Sequence, residues 1–324
     1  MRAVTNGVFL AAVAHGIIGL SLIWDKVLLQ RPATTSLANY VFWLGAISIF
    51  GLLLLPFGFK MPSLATAGLA VFAGVVHLGA IWFYYAALKR GEASESLAIM
   101  GGFTPLATEL TSLGLLSKSL ESGGYLAFAV MVGGGFVMFL SERLNWRQVL
   151  PSIVLSALLF GVTNVLQKIV FNDAGFVSGY VFFTLGTFFA AIGLLVRPLW
   201  REQIFRYSGK APPKSRFRYF VNRFISGVGS FLIFLAISKT SPALVSAIEG
   251  VRYAVIFMAA YSITKWKPNW LTEDFQRRAL IGKSIGTGLI VTGLALMGIS
   301  HSSDGRSAYR PRAAIFDSVM NYAP

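Results

Sequence analysis

Apolar residues run in ten long stretches along the chain, at 8–29, 37–57, 65–88, 94–117, 124–141, 149–170, 177–197, 219–238, 242–264 and 281–300. Each is near the roughly 20 residues that a tilted helix needs to cross a hydrocarbon core of about 30 Å. In lipid every backbone N–H and C=O must be satisfied within its own segment, so runs of this length predict helices. The expectation is an all-α integral membrane protein with ten transmembrane helices. Arg2 ahead of the first run resembles the start of a signal peptide. That run is long and lacks an obvious small-x-small cleavage site, so it reads as a retained first helix. The connections are mostly too short for a soluble domain; the longest are the basic segment Trp200–Phe217 and the segment Trp266–Arg278. The tail 301–324 is polar and reads as flexible.

The two halves resemble each other. Gly19, Lys26 and Pro56 match Gly161, Lys168 and Pro198 at an offset of 142, with WDKV against LQKI and GLLLLPF against GLLVRPL. Tyr40-Val-Phe matches Tyr180-Val-Phe with a two-residue slip. Ala87, Ala98, Ile99 and Gly101 match Ala236, Ala247, Ile248 and Gly250 at 149; Gly134, Met138 and Ser141 match Gly293, Met297 and Ser300 at 159. Residues 1–145 and 146–300 thus read as two five-span repeats. Five is odd, so the second copy enters the membrane from the opposite side, which makes the repeat inverted.

Composition agrees with a membrane protein. Of 324 residues 55% are hydrophobic and only 13% charged, against about 25% charged in soluble domains. With no cysteine there is no disulfide, thiolate metal site or cysteine nucleophile. The histidines, His15, His77 and His301, are too scattered for a zinc signature. No metal or cofactor is expected, and no Gly-x4-Gly-Lys-Ser/Thr loop for ATP occurs. A net charge of +15 would suggest nucleic acid in a soluble protein. Here the basic residues lie between apolar runs and suit lipid headgroups, so the partners expected are the bilayer and a small-molecule substrate, with no nucleic acid. Gly175/Gly179 and Gly282/Gly286 have GxxxG spacing and read as packing within the bundle; monomer and homodimer both remain open.

Chemistry concentrates in 240–261, TSPALVSAIEGVRYAVIFMAAY, where a Ser-Pro helix start precedes an apolar run broken by Glu249 and Arg252. At about 1.5 Å per residue they lie about 10 and 15 Å beyond Pro242, near mid-depth. A charge there costs about 2.5–3.5 kcal/mol on insertion scales, so it calls for a partner or a task. Opposite charges at i and i+3 share a helix face and supply each other's partner. The other polar residues within spans are His15, His77, Glu109, Asn164 and Gln167. The histidines suit proton relay or an interhelical hydrogen bond, the second being favoured. Glu109 suits proton carriage; Asn164 and Gln167, at i and i+3, suit substrate binding or helix gluing. The aromatic residues read mainly as an interfacial belt, with Tyr84 and Tyr85 the candidates for lining a cavity. The five aspartates, Asp25 among them, are read as lying at span ends or outside, so no enzyme constellation is expected.

The segments FYYAALKRGEASESLAIMGGFTPLATEL and FLIFLAISKTSPALVSAIEGVRYAVIF carry a resemblance. Each has an alanine-rich helix end, a polar turn and a small-residue helix. In this the chain resembles the EamA-type members of the drug/metabolite transporter superfamily over roughly 8–300, with Glu249 at the place of that family's Glu-Pro glutamate. Gly250 stands where the proline would be, and Met100 at the matching place of the first repeat. The resemblance implies a ten-helix, multi-pass transporter of a small metabolite in a prokaryotic cytoplasmic membrane, exporting or exchanging by alternating access. The rival expectations are a non-transporting membrane scaffold or regulator on the same fold, and a lipid-handling membrane protein. Orientation is contested. Connections after odd-numbered spans carry 19 Lys or Arg against 8 elsewhere outside the spans, which puts the termini outside. The resemblance puts them in the cytoplasm, and that orientation is preferred.

Overall fold

The structure is a computed structural model describing residues 2–29, 36–90, 93–116, 124–141, 146–210, 213–252 and, in pieces, 255–296. The tail 301–324, the turn 120–123 and the segment 263–280 lie outside the described residues, as do Met297 and Ser300 of the repeat. The elements are α1 (Arg2–Leu29), α2 (Leu37–Ile47), α3 (Leu64–Arg90), α4 (Ala93–Leu116), α5 (Gly124–Ser141), α6 (Trp146–Ala174), α7 (Phe176–Gly193), α8 (Pro198–Lys210), α9 (Pro213–Lys239) and α10 (Pro242–Ala247). No strand occurs among them. Among the described residues six stretches are long and apolar enough to cross a membrane: Asn6–Lys26, Leu37–Leu54, Leu64–Arg90, Val149–Ala174, Phe176–Val196 and Arg216–Lys239. Gly124–Val137 and Ser284–Gly293 are shorter apolar helices.

Local chemistry sets the helix limits. Ser36 and Ser63 accept from the N–H groups of Asn39 (3.3 Å) and Thr66 (3.1 Å), satisfying first-turn donors of α2 and α3. The run 37–57 is not one α-helix; after Ile47 it tightens into a 3-10 helix over Ser48–Leu54. A single residue, Gly175, joins α6 to α7, and its φ of +76° is a conformation that a Cβ disfavours. Gly175 therefore serves as a corner, whereas Gly179 packs against Val170 and Phe171.

The basic segment after Trp200 is an organised element rather than a free connection. It contains α8, an amphipathic helix lying against α2. The Trp43 indole N–H donates to Ser208 Oγ at 2.7 Å, Ser208 donates to Asn39 Oδ1 at 2.7 Å, and Ser36 donates to Gln203 at 3.0 Å. Ile204 is buried while Leu199 and Phe205 are exposed, as in a helix lying at an interface.

Between spans, glycines bring backbones together. Any Cβ at Gly186 would fall on Val71 O of α3, and any at Gly74 on Phe183 O of α7. Gly19 faces Arg252 and Val255, while its counterpart Gly161 faces Ala107 and Thr108 of α4. Gly134 of α5 faces Gly286 and Ile290; Gly293 in turn faces Ala127 and Met131 of α5. That last contact is reciprocal, because each glycine meets the residues seven and three positions before the other. α1 lies along α9 and α3 along α6. Lys26 Nζ of α1 donates to Leu88 O near the end of α3 (2.8 Å). Lys168 Nζ of α6 donates to Ile237 O (3.0 Å) and Ser238 O (3.1 Å) near the end of α9. A cation on last-turn carbonyls satisfies acceptors that the helix leaves open. The four helices α1, α9, α6 and α3 thus close a ring.

Candidate functional site

A cavity of about 710 Å³ is lined by residues of these four helices together with residues of α2, Ser48–Leu54, α4, α7 and α10. His15, His77, Tyr84, Tyr85, Asn164, Glu249 and Arg252, all expected from sequence, line it. Glu109 and Gln167 do not. Glu109 accepts from Tyr125 Oη of α5 at 3.3 Å, and Gln167 is fully buried elsewhere. Neither polar atom of the Gln167 amide has a partner among the described residues.

The ninth apolar run changes its hydrogen bonding at this site. After α10, Glu249 N bonds Ser246 O (3.1 Å), Val251 N bonds Ile248 O (2.9 Å) and Arg252 N bonds Glu249 O (2.9 Å), all i to i−3. Such a local tightening inside a helix is commonly a hinge or a binding element. It has a direct chemical effect. The N–H of Glu249 no longer reaches Val245 O, and that carbonyl lies 2.9 Å from His15 Nε2. A carbonyl only accepts, so Nε2 carries the proton and Nδ1 of the neutral ring is the acceptor. Arg252 Nη2, 3.0 Å from Nδ1, is its donor. Arg252 Nη1 donates to Glu249 Oε1 at 2.5 Å. Backbone break, histidine tautomer and ion pair therefore form one buried unit, and His15 has the interhelical hydrogen bonds expected of it.

Asn164 of α6 donates to Ser246 Oγ at 3.1 Å, just before the break, so it joins helices while facing the cavity. His77 is packed among the rings of Phe160, Phe183 and Phe234, at centroid distances of 5.4, 5.1 and 5.6 Å. Its Nδ1 has no partner among the described residues, so the hydrogen bond favoured from sequence is absent at that atom. The same holds for Tyr84 Oη, Thr104 Oγ1, Arg252 Nε and Arg223 Nε, all on cavity-lining residues.

Asp25 lies at a span end, as read from the sequence, but it does not face headgroups. Asp25 is fully buried and accepts from Tyr40 Oη (2.6 Å), Tyr85 Oη (2.6 Å), Asn222 Nδ2 (2.5 Å) and the Arg223 guanidinium. Arg223 also donates to Tyr85 Oη at 2.9 Å and lies near the rings of Tyr40, Tyr85 and Tyr219. Tyr219 Oη donates to Tyr40 O at 2.8 Å. A buried ion pair in an aromatic box thus ties α1, α2 and α3 to α9 at one end of the cavity. Neither Asp25 nor Arg223 was expected as a site residue, although both fall inside apolar runs and carry opposite charges. Two of the 19 basic residues in the odd-numbered connections, Lys26 and Arg223, are buried here and do not meet headgroups.

No known family profile and no curated protein matches the chain. Several solved structures are similar, among them a crystal structure at a TM-score of 0.58 and 14% identity, over 92% of this chain and 96% of its own. At that identity the likeness shows a shared fold and says nothing of activity.

Proposed function

We propose that the chain is a secondary-active transporter of a small metabolite, working by alternating access across a prokaryotic cytoplasmic membrane. The observation that carries this reading is the cavity among the helices, with buried charge pairs at its walls and a helix broken at Glu249. Broken helices at mid-depth put backbone and side-chain polar groups where a ligand can use them. Its volume is within the range usual for small-molecule sites. Buried charges that serve no ligand are expensive in a membrane, which favours a task for them.

The transporter is read as ten spans in two inverted repeats. The matched pairs support this: Lys26 and Lys168 make corresponding contacts each within its own half, and Gly19 with Gly161 and Gly134 with Gly293 make corresponding contacts each with the opposite half. The reciprocal contact of Gly134 and Gly293 is what a two-fold axis between the halves produces. The resemblance to EamA-type transporters points the same way. In this scheme the Asp25–Arg223 tie closes one side of the cavity, and Glu249, Arg252 and His15 meet the substrate.

Counterflow in proteoliposomes tests the proposal. Vesicles loaded with pools of unlabelled metabolites should accumulate the matching labelled compound. If no pool drives accumulation, while the protein is folded and inserted, transport is refuted.

A further inference from the structure

One side of the cavity is open between two elements that do not pack along each other. α2 and α9 meet at one end, through Tyr40 with Tyr219 (4.9 Å) and Trp43 with Phe220 (6.0 Å). Beyond that end no backbone packing between them continues; the 3-10 stretch Ser48–Leu54 turns to α7, and α9 lies on α1. Both nonetheless line the cavity. Phe50 and Leu53 on one side, and Phe224 and Val228 on the other, are cavity-lining and exposed; the values for Phe50, Leu53 and Phe224 are 63%, 68% and 73%. Phe224 lies eight residues inside the apolar stretch Arg216–Lys239, about 12 Å from its end. At that depth a ring open to the outside faces hydrocarbon, not water. The opening is therefore lateral.

The wall behind the opening is polar. Glu249, Arg252, Tyr84 and Thr104 line it, and none of them belongs to α2, to Ser48–Leu54 or to α9. Each of its two charge pairs is internally balanced, so a ligand head of single net charge would find no compensating partner. A neutral or zwitterionic head, which needs no net counter-charge from the wall, suits it.

We propose that the cavity takes an amphiphile with a neutral or zwitterionic head, drawn in sideways from the bilayer between Ser48–Leu54 and α9, its chain left in the apolar mouth. This rests on the transporter reading and names the substrate class. The head is set by the charge balance, and the chain by the lateral, apolar mouth.

Gly227 makes the test possible, because it lines the cavity and a Cβ there meets nothing within 4 Å. Gly227→Trp should fill the mouth and keep the fold; Gly227→Ala is the control. Thermal stabilisation of the purified protein would be measured with lysophosphatidylcholine, a monoacylglycerol, a fatty acid of equal chain length, and glycerophosphocholine, which has no chain. The expected result is stabilisation by the first two, at least tenfold weaker binding of both in Gly227→Trp, and none from glycerophosphocholine. Equal stabilisation by glycerophosphocholine, preference for the fatty acid, or no effect of Gly227→Trp would each overturn the proposal.

Entry from the bilayer has its own arm. The chain has no native cysteine, so Phe224→Cys carries a unique thiol. It should react with a lipid-soluble maleimide in vesicles and not with a membrane-impermeant one; the reverse would mean that the mouth opens to water. Transport of a water-soluble metabolite undiminished in Gly227→Trp would sink the amphiphile and leave the transporter standing. A bound amphiphile never moved between leaflets would do the opposite.

Discussion

Replacing Asp25 by asparagine withdraws the negative charge from a carboxylate that serves four donors at once, those of Tyr40, Tyr85, Asn222 and Arg223. Arg223 is then left buried among tyrosine rings with no counter-charge. Removing one partner of a buried pair destabilises by about 3–5 kcal/mol. Arg223→Met leaves Asp25 charged, but still holding two tyrosine hydroxyls and the Asn222 amide, so its cost should fall at the low end of that range. The double change Asp25→Asn with Arg223→Met removes both charges and keeps an acceptor oxygen for the tyrosines. It should therefore cost less than the sum of the singles, with a coupling of about 2–3 kcal/mol, the upper part of the range for contacting residues. Unfolding in mixed micelles, titrated with SDS and followed by tryptophan fluorescence, would give the four stabilities of the cycle. Singles that add to within about 0.5 kcal/mol would refute the buried pair, since uncoupled sites behave that way.

Three further outcomes can be checked separately. The double change Glu249→Gln with Arg252→Met should give a folded, inserted protein that has lost ligand-induced stabilisation; unchanged stabilisation and transport would make the pair structural. Gly186→Ala should destabilise by about 1–3 kcal/mol, as overpacking does, because the new methyl falls on Val71 O; a neutral effect in the same SDS titration would mean that α3 and α7 are less closely apposed. For orientation, a cysteine at exposed Arg206 on α8 is a sound probe, whereas Ser208 is engaged by Asn39 and Trp43. With the termini in the cytoplasm, Arg206→Cys should label from outside, and labelling only from the cytoplasm would reverse the assignment.

Helix positions were legible because lipid leaves the backbone few alternatives, so among the described residues six of the apolar runs coincide with stretches long enough to cross a membrane. Polar partnerships were less legible. Asp25 sits next to Lys26 near a span end and reads as a headgroup residue, yet its partner Arg223 lies almost 200 positions away and only packing of α1 on α9 unites them. An unbalanced arginine inside the apolar run 219–238 was the available signal. The i, i+3 spacing of Asn164 and Gln167 suggested a shared role, but three residues turn a helix to about 60° short of a full circle. That is enough to put Asn164 at the cavity and Gln167 elsewhere. The amphipathic α8 has no long apolar run and so reads as a connection. The break at Glu249 was foreshadowed only by Gly250, which packs against Ile290.

The ring of α1, α9, α6 and α3 has a mechanical consequence. Two of its sides are broad packed faces, α1 on α9 and α3 on α6; the other two are cinched by a lysine amine on the last carbonyls of a helix. Four stiff rods joined in a closed loop behave as a linkage, in which no corner can spread unless another folds in. The amine corners are swivels, since an ammonium group can pivot between neighbouring carbonyls, as Lys168 already does by touching two. The packed faces are rigid bars by comparison. In the proposed transporter, the α1–α9 bar would pivot against the α3–α6 bar about the two lysines and the Asp25–Tyr85–Arg223 tie, so that widening of the cavity at one end would be geared to narrowing at the other.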